Sequence, residues 1–88
     1  MKYILSDSVA MTRTDYGYVI LDTRKSKYFQ VNAVAGEMLK LLASGRCVSD
    51  VAQSVADTYD IPGTRVLRDL EALISEALGA CIIEQVSE

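Results

Sequence analysis

The chain has 88 residues, half of them hydrophobic, and its nine basic and twelve acidic side chains give a formal net charge of −3. This length fits one domain over residues 1–88 and leaves little room for a buried active site, so we predict no enzymatic activity. The negative charge argues against nucleic acid as the main partner, because neutralisation of phosphates supplies most non-specific binding to nucleic acids. Histidine is absent, and Cys47 and Cys81 lack the paired spacing of a zinc or redox motif, so we expect neither metal nor cofactor. Both cysteines are predicted to be reduced core residues.

The first eleven residues contain an apolar patch that is short and is interrupted by Ser6 and Asp7. Such a patch is not typical of a secretion signal. No apolar run in the chain approaches the length of a transmembrane helix. The sequence therefore predicts a cytoplasmic protein without a membrane partner.

Three strands are predicted in the first third of the chain. Val9–Thr14 is the first, and two β-type runs, Gly17–Asp22 and Lys27–Val31, follow with a polar turn between them. Asn32 then provides an N-cap for a helix. Because Lys27–Val31 is the last strand before a helical remainder, a simple meander places it at the edge of the sheet, where another strand can pair with it.

A group of basic residues lies beside this edge in a chain that is otherwise acidic. It consists of Arg24, Lys25 and Lys27, and we call it the basic cluster. Such charges discourage random strand pairing and attract an acidic peptide. The same pattern is also typical of a soluble turn, and the sequence does not choose between these interpretations.

From Asn32 onward the hydrophobic period changes from two to about 3.6, which predicts three helices. They cover residues 32–45, 49–60 and 62–79. Ser49 and Thr64 are predicted to cap the second and third helices, because no histidine is present to make either a nucleophile. The final run, Cys81–Val86, is expected either to add a short strand or to lie against the core.

The predicted order of three antiparallel strands and three helices defines an α+β fold that resembles a winged helix-turn-helix. A DNA-reading third helix would carry an excess of basic residues. Here Arg65 and Arg68 are accompanied by Asp69, Glu71 and Glu76, so we interpret this face as mixed and solvated, with an intrahelical ion pair of Asp69. A winged-helix transcriptional regulator remains an alternative.

Several segments in their order resemble the PqqD-like family of RiPP recognition elements, over nearly the whole chain. They are TDYG with VILD, KYFQVN, AVAGEMLKLL, and TYDIP with VLRDLEALISEAL. Within this family the chain is most similar to the stand-alone leader-binding proteins of lasso-peptide biosynthesis. The resemblance implies a domain that binds the leader peptide of a ribosomally made precursor and delivers it to a separate leader peptidase.

The resemblance also implies the place of binding. The leader would add as an antiparallel strand to the third strand, beside the third helix. The peptide-binding residues it implies are Lys27, Tyr28, Phe29, Gln30 and Val31 on the strand, and Leu67, Leu70, Glu71 and Ile74 on the helix. Electrostatic steering by Arg24 and Lys25 is the separate expectation from the charge pattern. Alternation alone does not say whether Tyr28 or Phe29 faces the groove. A second alternative is a PqqD-type chaperone that serves a radical enzyme.

Overall fold

The computed structural model describes residues 2–86, which form five strands and three helices. The elements in chain order are β1 (Lys2–Leu5), β2 (Val9–Thr14), β3 (Gly17–Asp22), β4 (Lys27–Val31), α1 (Ala33–Ala43), α2 (Val48–Tyr59), α3 (Gly63–Gly79) and β5 (Ile83–Val86). The predicted α+β fold, with a three-stranded antiparallel sheet followed by three helices, is confirmed.

The main sheet has the order β2-β3-β4, and its register places Ile20 opposite both Met11 and Phe29. Ile20 is fully buried and Phe29 is half-buried, so this face of the sheet packs against the helices. Tyr28 points to the opposite face and is 68% exposed. The structure therefore answers the question that alternation left open, because Phe29 and not Tyr28 faces inward.

A second sheet joins the two ends of the described chain. In it β1 pairs antiparallel with β5, with Leu5 opposite Ile83. Tyr3 and Ile83 from this ribbon are buried in the core. The final strand that the sequence suggested is thus present, whereas β1 was not predicted.

Close contact between α1 and the sheet depends on Gly36. A Cβ atom at this position would overlap the ring of Tyr18, which is buried. The hydroxyl of Tyr18 donates a hydrogen bond to Glu37 Oε2 at 2.7 Å, and this bond raises the pKa of the phenol. The small residue therefore lets α1 pack directly on an aromatic ring of β3.

The predicted N-cap residue is correct for one of the three helices. Asn32 caps α1 as predicted, because its Oδ1 accepts a hydrogen bond of 2.8 Å from the backbone N–H of Ala35. The predicted caps of the other two helices are wrong. Ser49 and Thr64 both lie inside the first turn, since the capping positions are occupied by Cys47 and Pro62, which make no side-chain capping bond.

One core contains residues from both sheets and all three helices. Its largest fully buried side chains are Ile20, Leu39, Leu42, Val51, Val55, Leu70 and Ile83. The prediction that both cysteines belong to this core is wrong, because Cys47 is half-buried and Cys81 is exposed. Cys81 lies in the turn after α3 with a φ of 60°, and the two isoleucines that follow it take the buried positions.

Among residues 2–86, no helix has the length and apolar character needed to cross a membrane. The same part of the chain contains no group of acidic, cysteine or histidine residues that could hold a metal ion.

Candidate functional site

Strand β4 is an edge strand of the main sheet. It pairs with β3 on one side, and no other strand within residues 2–86 pairs with its second side. An edge strand presents a row of backbone N–H and C=O groups to whatever approaches it. Strand β2 forms the other edge of this sheet.

A cavity of about 210 Å³ lies between β4 and the C-terminal half of α3. We call it the strand cavity. Its walls are formed by Phe29, Gln30 and Val31 of β4 and by Leu73, Glu76 and Ala77 of α3. Most of these side chains are apolar, and Ile20 and Leu39 of the core also line the cavity. The cavity beside β4 therefore has a mostly apolar lining that suits the apolar side chains of an approaching segment.

A second cavity, of about 440 Å³, continues from the first toward the N-terminus of α3. This helix cavity lies between the start of α1 and α3, and its lining includes Asn32, Val34, Met38, Ile61, Arg65 and Asp69. Leu73 and Glu76 line both cavities. The two cavities therefore adjoin along α3, and we call the pair the α3 groove.

Helix α3 forms the wall of this groove with a different stripe from the one that the resemblance implied. Leu70 and Ile74 are buried in the core, and Leu67 and Glu71 are exposed but line neither cavity. The apolar stripe of an amphipathic helix is its core face, so Leu70 and Ile74 pack inward. The residues that line the groove, such as Leu73 and Glu76, lie at the margin of that stripe.

The charged side chains that line the α3 groove differ in whether they have partners. Arg65 Nε lies 4.0 Å from Asp69 Oδ2, which confirms the predicted intrahelical pair of Asp69. The carboxylate of Glu76 is exposed and makes no ion pair or hydrogen bond within residues 2–86. The middle of the groove therefore carries one unpaired negative charge.

The turn between β3 and β4 is built around the buried side chain of Asp22. Its Oδ1 accepts hydrogen bonds from Ser8 Oγ at 3.1 Å and from the backbone N–H groups of Arg24 and Lys25 at 3.1 and 3.3 Å. Burial disfavours the charged carboxylate, but the hydrogen bonds and the nearby charge of Lys25 outweigh it and lower the pKa of Asp22. The turn holds the exposed side chains of the basic cluster at the N-terminal end of β4.

Comparison with known proteins identifies the family of this chain. The model of the PqqD family, described as coenzyme PQQ synthesis protein D, matches residues 17–83. The chain belongs to the PqqD family. A comparison with curated protein sequences gave no significant match.

Three solved structures share the fold. A lasso peptide synthetase B1 complexed with the leader peptide is 29% identical, with a TM-score of 0.86, over 97% of this chain and 100% of that one. TbiB1 in complex with the TbiA(beta) leader peptide is 24% identical, with a TM-score of 0.83, over the whole of both chains. The PqqD truncation of Methylobacterium extorquens PqqCD, a stand-alone RiPP recognition element, is 21% identical, with a TM-score of 0.80, over 94% of this chain and 88% of that one.

Proposed function

We propose that this chain binds the leader peptide of a ribosomally synthesised, lasso-type precursor as an added antiparallel strand on β4. The observation that carries the proposal is the open edge of β4, beside which lies the mostly apolar strand cavity. The structural similarity to a lasso peptide synthetase B1 that was solved with a leader peptide supports the same reading. Strand addition suits such an edge, because backbone bonds supply register and side-chain pockets supply sequence choice.

In this proposal Lys27–Val31 is the template strand, and the leader side chains that face inward enter the strand cavity. Phe29 and Val31 contact them from the sheet, while Leu73 contacts them from α3. Tyr28 and Gln30 take part through their backbone groups, since their side chains alternate with those of the inward-facing residues. On α3, Leu70 and Ile74 support the wall from the core.

The expected affinity follows from the size of this contact. About four backbone hydrogen bonds at about 1 kcal/mol each, with two or three apolar side chains at about 1.5–3 kcal/mol each, give roughly 7–13 kcal/mol. Association and ordering of a flexible peptide cost several kcal/mol. After a cost of about 4–5 kcal/mol, the upper end of this range leaves about 8–9 kcal/mol, which corresponds to a dissociation constant of about one micromolar.

Calorimetric titration with the synthetic leader of the precursor encoded beside this chain tests binding, and hydrogen exchange tests its location. We expect slower amide exchange at residues 27–31 in the complex and little change at residues 9–14, which form the other edge. Binding that slows exchange only at residues 9–14 contradicts the proposed edge. Absence of binding contradicts the function.

The domain itself is proposed to be non-catalytic, to need no cofactor, to act in the cytoplasm and to present the leader to a separate leader peptidase. Incubation of the precursor with this chain alone should give no cleavage, and the chain should accelerate cleavage by the peptidase encoded nearby. Membership of the PqqD family makes delivery to a radical enzyme the alternative outcome. Precursor cleavage that proceeds equally well without the chain contradicts the peptidase partnership.

A further inference from the structure

We propose that Glu76 selects a leader with a lysine or arginine side chain between two apolar residues. This inference rests on the proposed leader-binding function and adds a specificity element to it. Glu76 is well placed for this role because it lines both the strand cavity and the helix cavity. A peptide whose apolar side chains fill both cavities must therefore run past the carboxylate of Glu76.

The charge of the groove points to a cation. The charged residues that line the two cavities are Arg65, Asp69 and Glu76. Because Arg65 and Asp69 face each other on the same helix, the net charge of −1 rests on Glu76. A leader that brings an acidic side chain to this point meets repulsion, whereas a cationic one gains a charge-assisted hydrogen bond.

The surroundings increase the effect of this charge. Leu73 and Ala77 lie on the neighbouring positions of the same wall, and a bound peptide would exclude water from the space between them. An ion pair in a partly desolvated groove is screened less than one on an open surface. Replacement of Glu76 by glutamine should therefore weaken binding of a cationic leader about 3- to 10-fold, with only a weak dependence on salt.

The proposal also gives the leader a polarity. An antiparallel strand on β4 has its C-terminal end at Lys27, where the basic cluster lies, and its N-terminal end near Asn32. The cationic residue is thus expected in the middle of the bound segment. Acidic residues are expected only toward its C-terminal end.

A phage-displayed library of random peptides provides the probe, selected against the whole chain and two charge-reversal variants. The variants are Glu76→Lys and Glu71→Lys, which reverse exposed charges of the same helix, but Glu71 lines neither cavity. The wild-type chain and Glu71→Lys should enrich lysine or arginine between two apolar positions, and Glu76→Lys should replace this preference by aspartate or glutamate. Melting curves confirm that each variant is folded before selection.

The outcomes separate this inference from the function on which it rests. If all three proteins select peptides that slow exchange at residues 27–31 but show no cationic preference, the role of Glu76 is refuted and leader binding stands. If Glu71→Lys changes the preference as strongly as Glu76→Lys, the effect comes from overall charge and the inference is also refuted. If the cognate leader itself does not bind in the titration described above, the proposed function fails first.

Discussion

Replacement of Leu73 by alanine offers a direct test of the α3 groove. Leu73 is half-buried and lines both cavities, whereas Leu67, on the same helix, is 39% exposed and lines neither. Leu73→Ala removes three carbon atoms, and a buried methylene contributes about 0.8 kcal/mol. If roughly half of this group contacts the leader, the loss is about 1–1.5 kcal/mol, which corresponds to about 5- to 12-fold weaker binding.

The measurement is calorimetric titration of wild type, Leu73→Ala and Leu67→Ala with the same leader peptide. The matched variant Leu67→Ala should bind within about twofold of wild type, because its side chain is outside the groove. Thermal melts of both variants show whether a change in affinity reflects loss of the fold. Equal effects of the two substitutions, or a larger effect of Leu67→Ala in folded protein, would refute the assignment of the groove wall.

Three further predictions concern the parts that hold the groove in place. Gly36→Ala should lower the free energy of unfolding in urea by about 1–3 kcal/mol, because the added Cβ overlaps the Tyr18 ring. The control Gly79→Ala should not destabilise the protein, because the space around Gly79 is open. An unchanged free energy of unfolding for Gly36→Ala would contradict this packing. The fold lowers the pKa of Asp22 below its ordinary value of 3.8. The charged carboxylate therefore stabilises the folded protein at pH values above 3.8, and this stabilisation is lost as the pH falls from 3.8 through the lowered pKa. The free energy of unfolding of Asp22→Asn should therefore fall less steeply at acidic pH than that of the wild type. Parallel pH dependences of the variant and the wild type would exclude this role. Replacement of the three residues of the basic cluster by glutamine should slow leader association at low salt and have little effect at high salt; equal rates at low salt would limit the cluster to protection of the edge and solubility.

The sequence predicted the three-stranded sheet closely because its signals are local. The strands over residues 9–14, 17–22 and 27–31 each combine β-type residues with a polar turn at their ends, and all three have the predicted bounds. Strand β1 was missed because β5, the strand with which it pairs, lies at the other end of the described residues. A four-residue strand carries too little pattern to reveal such a partner.

The helix starts and the groove wall show a similar limit. Ser49 has the intrinsic preference of a capping residue, but the chain enters α2 two residues earlier, at Cys47, so position in the fold overrides preference. Helical periodicity locates the core face of α3, as the burial of Leu70 shows. It does not give the rotation of the helix relative to β4, and this rotation places Leu73 and Glu76 in the groove.

The wall formed by α3 also bears on which kind of strand can use the open edge. An edge strand of a second folded protein brings its own sheet with it, and exposed edges invite such pairing. Here the inward-facing side chains of an incoming strand have to enter a cavity of about 210 Å³ whose far side is Leu73, Glu76 and Ala77. We expect a flexible single peptide to reach this cavity more readily than the edge of a folded sheet, because a peptide adjusts its backbone to the wall and brings no second strand with it. We therefore expect the wall of α3 to favour a peptide ligand at β4 over the sheet-to-sheet contact that an unprotected edge allows.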